Sequence, residues 1–397
     1  MNDQAEPEPR RVVMCVDMDA FYASVELRRH PEWRDVPMWV GGAQRGVVLS
    51  ANYPARAFGV RGGMSSTQAR RLCPHAVCAS PDFDAYTEVS AGIVAILETF
   101  TARVESASID EAYLDLTGSE RTVGTAAHLG ERLRAIVHDE QGIACSVGIG
   151  PNKLVAKMAS NSAKPDGLLE VAPEDVVGFL HPQPVEHLVG VGESTASRLR
   201  PLGVRLVADL AALPRGTLQR EFGLRAGALL HDLAWGRDSS RVVARPGERG
   251  VGCQETFGHD LADDAGVLAE LLRVVVKVTS RMRAAGVLGR TITLNLRYAD
   301  FATASRALTL PAPTDLTDEV YAAARRLYAQ LRTGRSRVRR VGVRVTGLAD
   351  RQKVYLQPTL DAPDHGWRDA ERAADNVIQR FGPAAVRRAV LTRRDRP

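Results

Sequence analysis

The sequence lacks the signals of a membrane or secreted protein. No apolar run reaches the roughly 18 residues that cross a bilayer, and residues 1–11 form an acidic, proline-containing leader that we expect to be disordered. The five cysteines are odd in number and scattered, so they predict no disulfide framework and favour a reducing compartment. We therefore expect a cytoplasmic protein with no membrane partner. The sequence leaves the oligomeric state open, with a monomer as the default expectation.

A cysteine-based zinc site is also missing. Cys73, His75 and Cys78 could supply three ligands, but no second cluster completes the set at the usual spacing. We interpret these cysteines as small buried thiols.

Size and charge bound the remaining possibilities. A chain of 397 residues exceeds one ordinary core, so we expect two to four domains. The formal net charge of +5 and the pI of about 9.1 are compatible with a polyanionic partner without requiring one.

Two short acidic segments interrupt sequence that otherwise favours strands. Residues 104–116 have the pattern of a β-hairpin, and Asp110 and Glu111 stand side by side within it. Asp17 ends a separate apolar run, residues 11–17. Carboxylates held close together repel each other unless a cation or a proton lies between them. The pattern therefore indicates a divalent metal site, with an ordinary acidic turn as the alternative.

The order of elements predicts how these acids meet. A strand at the N-terminus, a helix over 82–100, the hairpin, a helix over 125–139 and a strand over 144–149 form an α+β layout, with an antiparallel sheet beneath helices. In such a sheet the first strand can lie beside the hairpin, so Asp17 can face the hairpin acids. Residues 29–81 are broken by proline and glycine, which favours a small loop-rich domain.

The segment that follows this sheet is helical and rich in glycine, arginine and leucine. Gly190 and Gly192 lie at a turn before a helix, where exposed N–H groups suit a phosphate. The pattern resembles a helix-hairpin-helix that binds a nucleic-acid backbone. A plain helix-turn-helix packing unit explains it equally well.

The C-terminal part begins with a basic segment, 237–250, that we interpret as a linker. Strands and helices then alternate to about residue 350 and predict a second α+β domain. Residues 332–340 contain no acid, which indicates either phosphate contacts or a solvated basic loop. The tail, 351–397, includes an amphipathic helix over 370–381. The candidate phosphate contacts are Arg335, Arg337, Arg339 and Arg340.

Five segments, in a fixed order, resemble the Y-family translesion DNA polymerases, and most closely the DinB or DNA polymerase IV branch. They are residues 16–26, 50–61, 108–115, 146–160 and 164–167. The resemblance implies a multidomain α+β fold, a right hand with an additional domain that grips duplex DNA. The implied domains are a palm (12–24 and 82–172), small fingers (25–81), a helical thumb (173–236) and an α+β little finger (251–350).

The resemblance also assigns site residues. It implies that Asp17 and Asp110 share two Mg²⁺ ions, with Mn²⁺ as an alternative, and that Glu111 binds the catalytic one. Met18 is implied as a ligand through its backbone carbonyl, and Asp19 matches a common family acid. The implied nucleotide contacts are Ser50, Tyr53, Arg56 and Lys164, with Arg61 as a further basic fingers residue.

Tyr22 has a predicted role that physical reasoning supports independently. It lies three residues after Asp19, on the first turn of the following helix, so its ring can lie beneath the sugar of a bound nucleotide. A bulky ring there leaves no room for a 2′-hydroxyl, and the family calls this position the steric gate. The alternative is that Tyr22 is simply a core aromatic residue.

The implied activity is template-directed addition of dNMPs to a primer 3′-OH, with primer-template DNA and dNTPs as partners. Small fingers check a base pair weakly, and the sequence offers no acid cluster for a proofreading exonuclease, so we expect low fidelity, lesion bypass and a role in DNA repair. Two alternatives are a nucleotidyl cyclase and a non-catalytic DNA-binding scaffold.

Two further expectations concern residues outside this core. Gln357 and Leu360 match part of the peptide with which family members bind the sliding clamp, which makes the clamp a candidate partner, although the aromatic pair is missing. Asp115 is expected to be structural and to lie outside the metal site.

Overall fold

A computed structural model describes residues 11–42, 45–118, 124–244, 250–332, 337–354, 366–382 and 385–394. The chain forms two compact units that divide after residue 246. Within the ranges just given, no helix combines the length and apolar character needed to span a membrane. The leader and three residues with predicted roles lie outside the described residues; these three are Arg335, Gln357 and Leu360.

The first unit is built on a five-stranded sheet with the order β5-β6-β1-β7-β8. Four strands pair antiparallel as predicted, and β8 joins β7 in parallel, which the sequence had not indicated. The strands of this unit are β1 Val13–Met18, β2 Met38–Gly41, β3 Val48–Ala51, β4 Val77–Ala79, β5 Val104–Ser106, β6 Glu111–Asp115, β7 Cys145–Gly150 and β8 Leu168–Glu170.

Helices cover both faces of this sheet, which explains why β1 and β7 are buried along their whole length. The helices of the unit are α1 Phe21–Arg29, α2 Tyr53–Ala57, α3 Ser66–Leu72, α4 Phe83–Glu98, α5 Ala126–Gln141, α6 Lys153–Ala163, α7 Val176–Leu180, α8 Glu193–Leu199, α9 Val207–Ala212, α10 Arg215–Phe222 and α11 Leu224–Ala234.

The two faces of the sheet carry different side chains. Met14 and Val16 of β1 point into the main core with α4 and α5, whereas Cys15 packs with Ala156 of α6. Helix α6 lies unusually close to β7. A Cβ atom added to Gly148 would lie 2.0 Å from the carbonyl oxygen of Ala156, so only glycine permits this approach. The close packing fixes α6 over the face on which Asp17 lies.

Two smaller clusters complete the first unit. The short strands β2, β3 and β4 form a separate sheet around the buried Trp39, in keeping with the small domain that the proline and glycine pattern predicted. Helices α7 to α11 surround a second cluster, which includes Leu199 and Leu210. The predicted helix-hairpin-helix segment contains α8, a 3₁₀ turn ending at Gly203, whose φ is 80°, and α9.

The predicted linker, 237–250, is partly bound to the first unit. The carboxylate of Asp238 accepts a hydrogen bond from the N–H of Leu154 at 3.1 Å, and Glu105 accepts one from the N–H of Val243 at 2.9 Å. These contacts fasten the backbone near Asp238 and Val243 to α6 and β5, and the assignment of 237–250 as a linker stays a prediction.

The second unit is an antiparallel sheet with the order β11-β10-β12-β9, and β13 pairs with one end of β10. Two helices, α12 and α13, cover one face, as the predicted α+β fold requires. The elements are β9 Gly250–Leu261, α12 Asp264–Ala284, β10 Val287–Tyr298, β11 Thr303–Thr314, α13 Thr317–Leu331, β12 Val338–Thr346, β13 Ala349–Asp350 and α14 Trp367–Phe381.

Ion pairs attach the tail helix α14 to α12. Arg283 of α12 donates hydrogen bonds to Glu371 at 2.7 Å and to Asp375, and Glu371 is the buried residue of the helix. Trp367 and Phe381 are exposed. The amphipathic pattern predicted the helix correctly, and its packed side combines the acids Glu371 and Asp375 with Ala374 and Ile378.

Candidate functional site

The predicted acids of the two motifs meet at one edge of the first sheet. Asp17 near the end of β1 lies opposite Glu111 at the start of β6, and the N–H of Met18 donates to the carbonyl of Asp110 at 2.9 Å. On the other side of β1, Asp17 lies opposite Ser146 of β7. The antiparallel register therefore brings the N-terminal motif and the hairpin motif together, as the sequence predicted.

A lysine of α6 lies between two of these acids. The ammonium group of Lys157 donates to a carboxylate oxygen of Asp17 and to Glu111 at 2.7 Å. Lys164, at the end of α6, donates to the other oxygen of Asp17 at 2.6 Å. Burial lowers the pKa of Lys157, but the charge of Asp17 and hydrogen bonds to both acids outweigh burial and raise it. The lysine is therefore a cation throughout the physiological range.

The carboxylate of Asp110 points elsewhere. It accepts a hydrogen bond from the Ser108 hydroxyl at 2.6 Å, and its charge helps to raise the pKa of Tyr22, after burial. Among the residues that the structure describes, no three acidic, histidine or cysteine side chains form a ready-made metal cluster. The donor set nevertheless fits Mg²⁺, because two carboxylates already converge on one cation and carboxylate oxygen is the ligand that this ion prefers.

Asp19 has a connecting role in the structure. Its buried carboxylate accepts hydrogen bonds from the Ser146 hydroxyl at 3.0 Å and from the N–H of Asp166 at 2.7 Å. Burial raises the pKa of Asp19, and these hydrogen bonds oppose the shift. Asp19 thus ties β1 to β7 and to the loop that follows Lys164.

The predicted nucleotide contacts Tyr53 and Arg56 reach the acid site through Asp19. The hydroxyl of Tyr53 donates to Asp19, and burial followed by the charge of Asp19 raises the pKa of Tyr53 to about 12. The guanidinium of Arg56, one turn along α2, lies 4.8 Å from the centre of the Tyr53 ring. Ser50 is buried on β3, and Arg61 is exposed. The structure therefore connects Tyr53, and through it Arg56, to the acid site.

Tyr22 packs against three aromatic rings beside the acids. Its ring centre lies 4.9 Å from that of Tyr86, 5.5 Å from that of Phe21 and 6.2 Å from that of Phe83. The ring is half-buried and contacts the main core, so both predicted roles, core aromatic and sugar-facing wall, are compatible with its position.

The predicted phosphate contacts of the second unit do not share one environment. Arg340 lies on β12 opposite Arg297 of β10, on the sheet face that α12 and α13 leave open. Arg339 instead lies 3.6 Å from Asp260 and over the ring of Phe301, and Arg337 is exposed before β12. The open face carries further polar residues that sequence reasoning did not single out. They are Thr291, Thr293, Asn295, Ser305 and Arg344.

The glycine turn of the first unit has the backbone that its sequence requires. Gly190 has a φ of 94°, a conformation that favours glycine, and Gly192 is the residue before the first turn of α8. Nothing lies within 4 Å of the position that a Cβ atom on Gly192 would take. The turn is therefore accessible to a ligand, and its predicted phosphate contact stays a prediction.

Sequence reasoning missed the central lysine. Lys157 lies within a segment that carried the resemblance, but it had no assigned role. Its position one helical turn after Lys153 could have indicated that it pairs with an acid, because two lysines on one face of a largely buried helix need acidic partners. Lys153 pairs with Glu105 at 2.7 Å, and Lys157 pairs with the acids of the site.

Known protein families match three parts of this chain. The impB/mucB/samB family matches residues 16–161, its C-terminal domain matches residues 248–360, and the DNA polymerase-iota thumb domain matches residues 186–238.

Individual relatives match most of the chain. A DNA polymerase IV of Halorhodospira halophila is 41% identical over 86% of this chain and 97% of its own length. A DNA polymerase IV of Desulfatibacillum aliphaticivorans is 37% identical over 96% of both chains. Among solved structures, a Y-family DNA polymerase chimera of Dbh and Dpo4 has a TM-score of 0.76 and 26% identity, covering 85% of this chain and 98% of that one.

Proposed function

The chain belongs to the Y-family DNA polymerases, in the DNA polymerase IV group, and from this membership we propose that it extends primers by two-metal phosphoryl transfer during lesion bypass and DNA repair. DNA-directed DNA polymerase activity follows from the family itself. The metal mechanism, the low fidelity and the residue roles are the proposal. The observation that carries it is the convergence of Asp17 and Glu111 on one cation at the edge of the sheet.

The proposed domains follow the clusters of the first unit and the sheet of the second. We assign the palm to 12–24 and 82–172, the fingers to 25–81, the thumb to 173–236 and the little finger to 251–350. The five-stranded sheet, the small sheet around Trp39 and the α7 to α11 cluster support the first three assignments. The linker and tail assignments, 237–250 and 351–397, stay predictions.

In the proposed reaction, Asp17, Asp110, Glu111 and the Met18 carbonyl hold two Mg²⁺ ions. Bound there, these ions would activate the primer 3′-oxygen and stabilise the leaving pyrophosphate. The protein supplies the remaining cationic groups. Lys164 contacts Asp17, and Arg56 is joined to the acid site through Tyr53 and Asp19. We propose that Lys164 and Arg56 bind the triphosphate together with Tyr53 and Ser50.

The Tyr22 ring is proposed as the wall that excludes a ribose 2′-hydroxyl. Three neighbouring aromatic rings prevent it from moving aside, and it lies close enough to Asp110 for the charge of that acid to affect its hydroxyl. A ring fixed in this way discriminates by shape, because a larger sugar would have to displace packed side chains.

Primer-template DNA is the proposed polyanionic partner. The open face of the second sheet presents hydroxyl, amide and arginine side chains at successive paired positions of β10 and β12. Such groups bind phosphates without reading sequence. Gly190 and Gly192 are proposed to contact the backbone as well. Clamp binding through the tail, a monomeric state and a cytoplasmic location stay predictions.

Primer extension tests this proposal. Asp110→Ala should abolish dNMP addition in Mg²⁺ and leave binding of a primer-template duplex largely intact, because Asp110 belongs to the metal site and not to the DNA contacts. Asp115→Asn is the matched control from the same hairpin, and it should keep its activity. Normal extension by purified Asp110→Ala would refute the metal assignment, and no extension by the unmodified protein would favour the non-catalytic scaffold.

A further inference from the structure

The most informative feature that the proposed function leaves unexplained is the position of Lys157. Its ammonium group bridges Asp17 and Glu111, and the Lys157 side chain is only 16% exposed. The two acids face each other across paired strands, so a single cation can bridge both. A solvent-exposed lysine could adopt many conformations, whereas the Lys157 side chain is held by its ion pairs with Asp17 and Glu111.

The surrounding structure fixes the lysine in this place. Helix α6 approaches β7 as closely as Gly148 allows, which sets the height of Lys157 above the sheet. One turn earlier, Lys153 pairs with Glu105 at 2.7 Å and lies 4.6 Å from the centre of the Tyr113 ring. The Tyr113 hydroxyl in turn hydrogen-bonds Glu111. Both the cation and one of its acids are therefore held by neighbours.

A cation in this position has two effects on a metal site. It offsets much of the repulsion between Asp17 and Glu111, so the acids stay together before any divalent ion arrives. It also occupies carboxylate oxygens that the ion needs, so binding of the ion must displace it. A nucleotide changes this balance, because its triphosphate offers the displaced ammonium group another anionic partner.

We propose that Lys157 is a positioning residue, an internal counter-cation that preorganises Asp17 and Glu111 and opposes metal binding until a nucleotide is present. The proposal rests on the function proposed above, because it takes these acids as metal ligands. It makes the metal affinity of the site depend on the nucleotide, so the free enzyme holds its acids ready without holding the ions tightly.

Direct measurement of Mn²⁺ binding tests the role of Lys157. Free Mn²⁺ is followed by electron paramagnetic resonance in titrations of the full chain, with and without a non-hydrolysable dNTP analogue. Without the analogue, Lys157→Met should bind Mn²⁺ at least about tenfold more tightly than the unmodified protein, a change of about 1.4 kcal/mol. With the analogue, the difference should shrink. Lys157→Gln should behave in the same way.

Lys277→Met is the control, because it removes a lysine that is paired with Glu255 at 3.1 Å in the second unit and has no contact with Asp17, Glu111 or their neighbours. It should leave Mn²⁺ affinity unchanged. Equal or weaker Mn²⁺ binding by folded Lys157→Met and Lys157→Gln would overturn the proposal while leaving the metal site itself intact. No Mn²⁺ binding by any protein, even with the analogue, would overturn the metal site and the proposal together.

Discussion

Replacing Gly148 by alanine tests whether the contact between α6 and β7 positions the residues of the candidate active site. The added Cβ would lie 2.0 Å from the carbonyl oxygen of Ala156 and 2.1 Å from the amide nitrogen of Ser160. Ordinary contact begins at 3.4 Å, so the helix would have to retreat by about 1.4 Å at this point. Backbone atoms block the methyl group on the helix side, so no side-chain rotation can relieve the clash.

The expected losses follow from this displacement. Overpacking of a core typically costs about 1–3 kcal/mol of folding free energy, and we expect Gly148→Ala to fall in that range. Lys157 is the residue after Ala156, and a displacement of about 1 Å in a positioning group can reduce a rate roughly a hundredfold. We therefore expect kcat/KM for primer extension to fall by about that factor even at temperatures where the variant is fully folded.

Urea unfolding and steady-state primer extension measure the two effects separately. Gly178→Ala is the matched control, because nothing lies within 4 Å of the Cβ position in α7. Alanine there should keep full activity and increase stability by up to about 1 kcal/mol, since it favours a helix. Gly148→Ala with unchanged stability and unchanged kcat/KM would refute the argument that this contact positions the site.

Three further predictions concern separate parts of the molecule. Tyr22→Ala should raise rNTP incorporation relative to dNTP and Tyr22→Phe should not; unchanged discrimination in the alanine variant would remove the sugar-wall role. Arg340→Ala should weaken duplex binding similarly for all sequences and reduce the slope of log K against log salt concentration by roughly 1. Arg339→Ala should have the smaller effect, because the Arg339 side chain is paired with Asp260. A larger effect of Arg339→Ala would contradict the open-face assignment. Asp115→Asn should lose about 1 kcal/mol of stability at neutral pH. Hydrogen bonds outweigh burial and lower the pKa of Asp115 below its ordinary 3.8, so the loss should disappear as the pH falls through that lowered value; a loss that persists in acid would contradict this assignment.

The sequence by itself determined the local elements and which acids were candidates for the site. Alternating and apolar runs indicated β1, the hairpin and β7 because burial of a strand face leaves a pattern in the chain itself. The resemblance to Y-family polymerases, now confirmed, supplied the activity. The register then placed Asp17 opposite Glu111, as the predicted layout required.

Only the tertiary structure decided which partners these side chains have. Lys157 meets Asp17 across 140 positions of sequence, and Asp19 meets Ser146 across 127. No local pattern encodes such pairs, because they depend on how closely α6 packs against the sheet. Arg340 and Arg339 differ because neighbouring residues of one basic segment lie in different environments once β12 joins its sheet. The contacts of Asp238 and Val243 in the predicted linker likewise join residues far apart in the sequence.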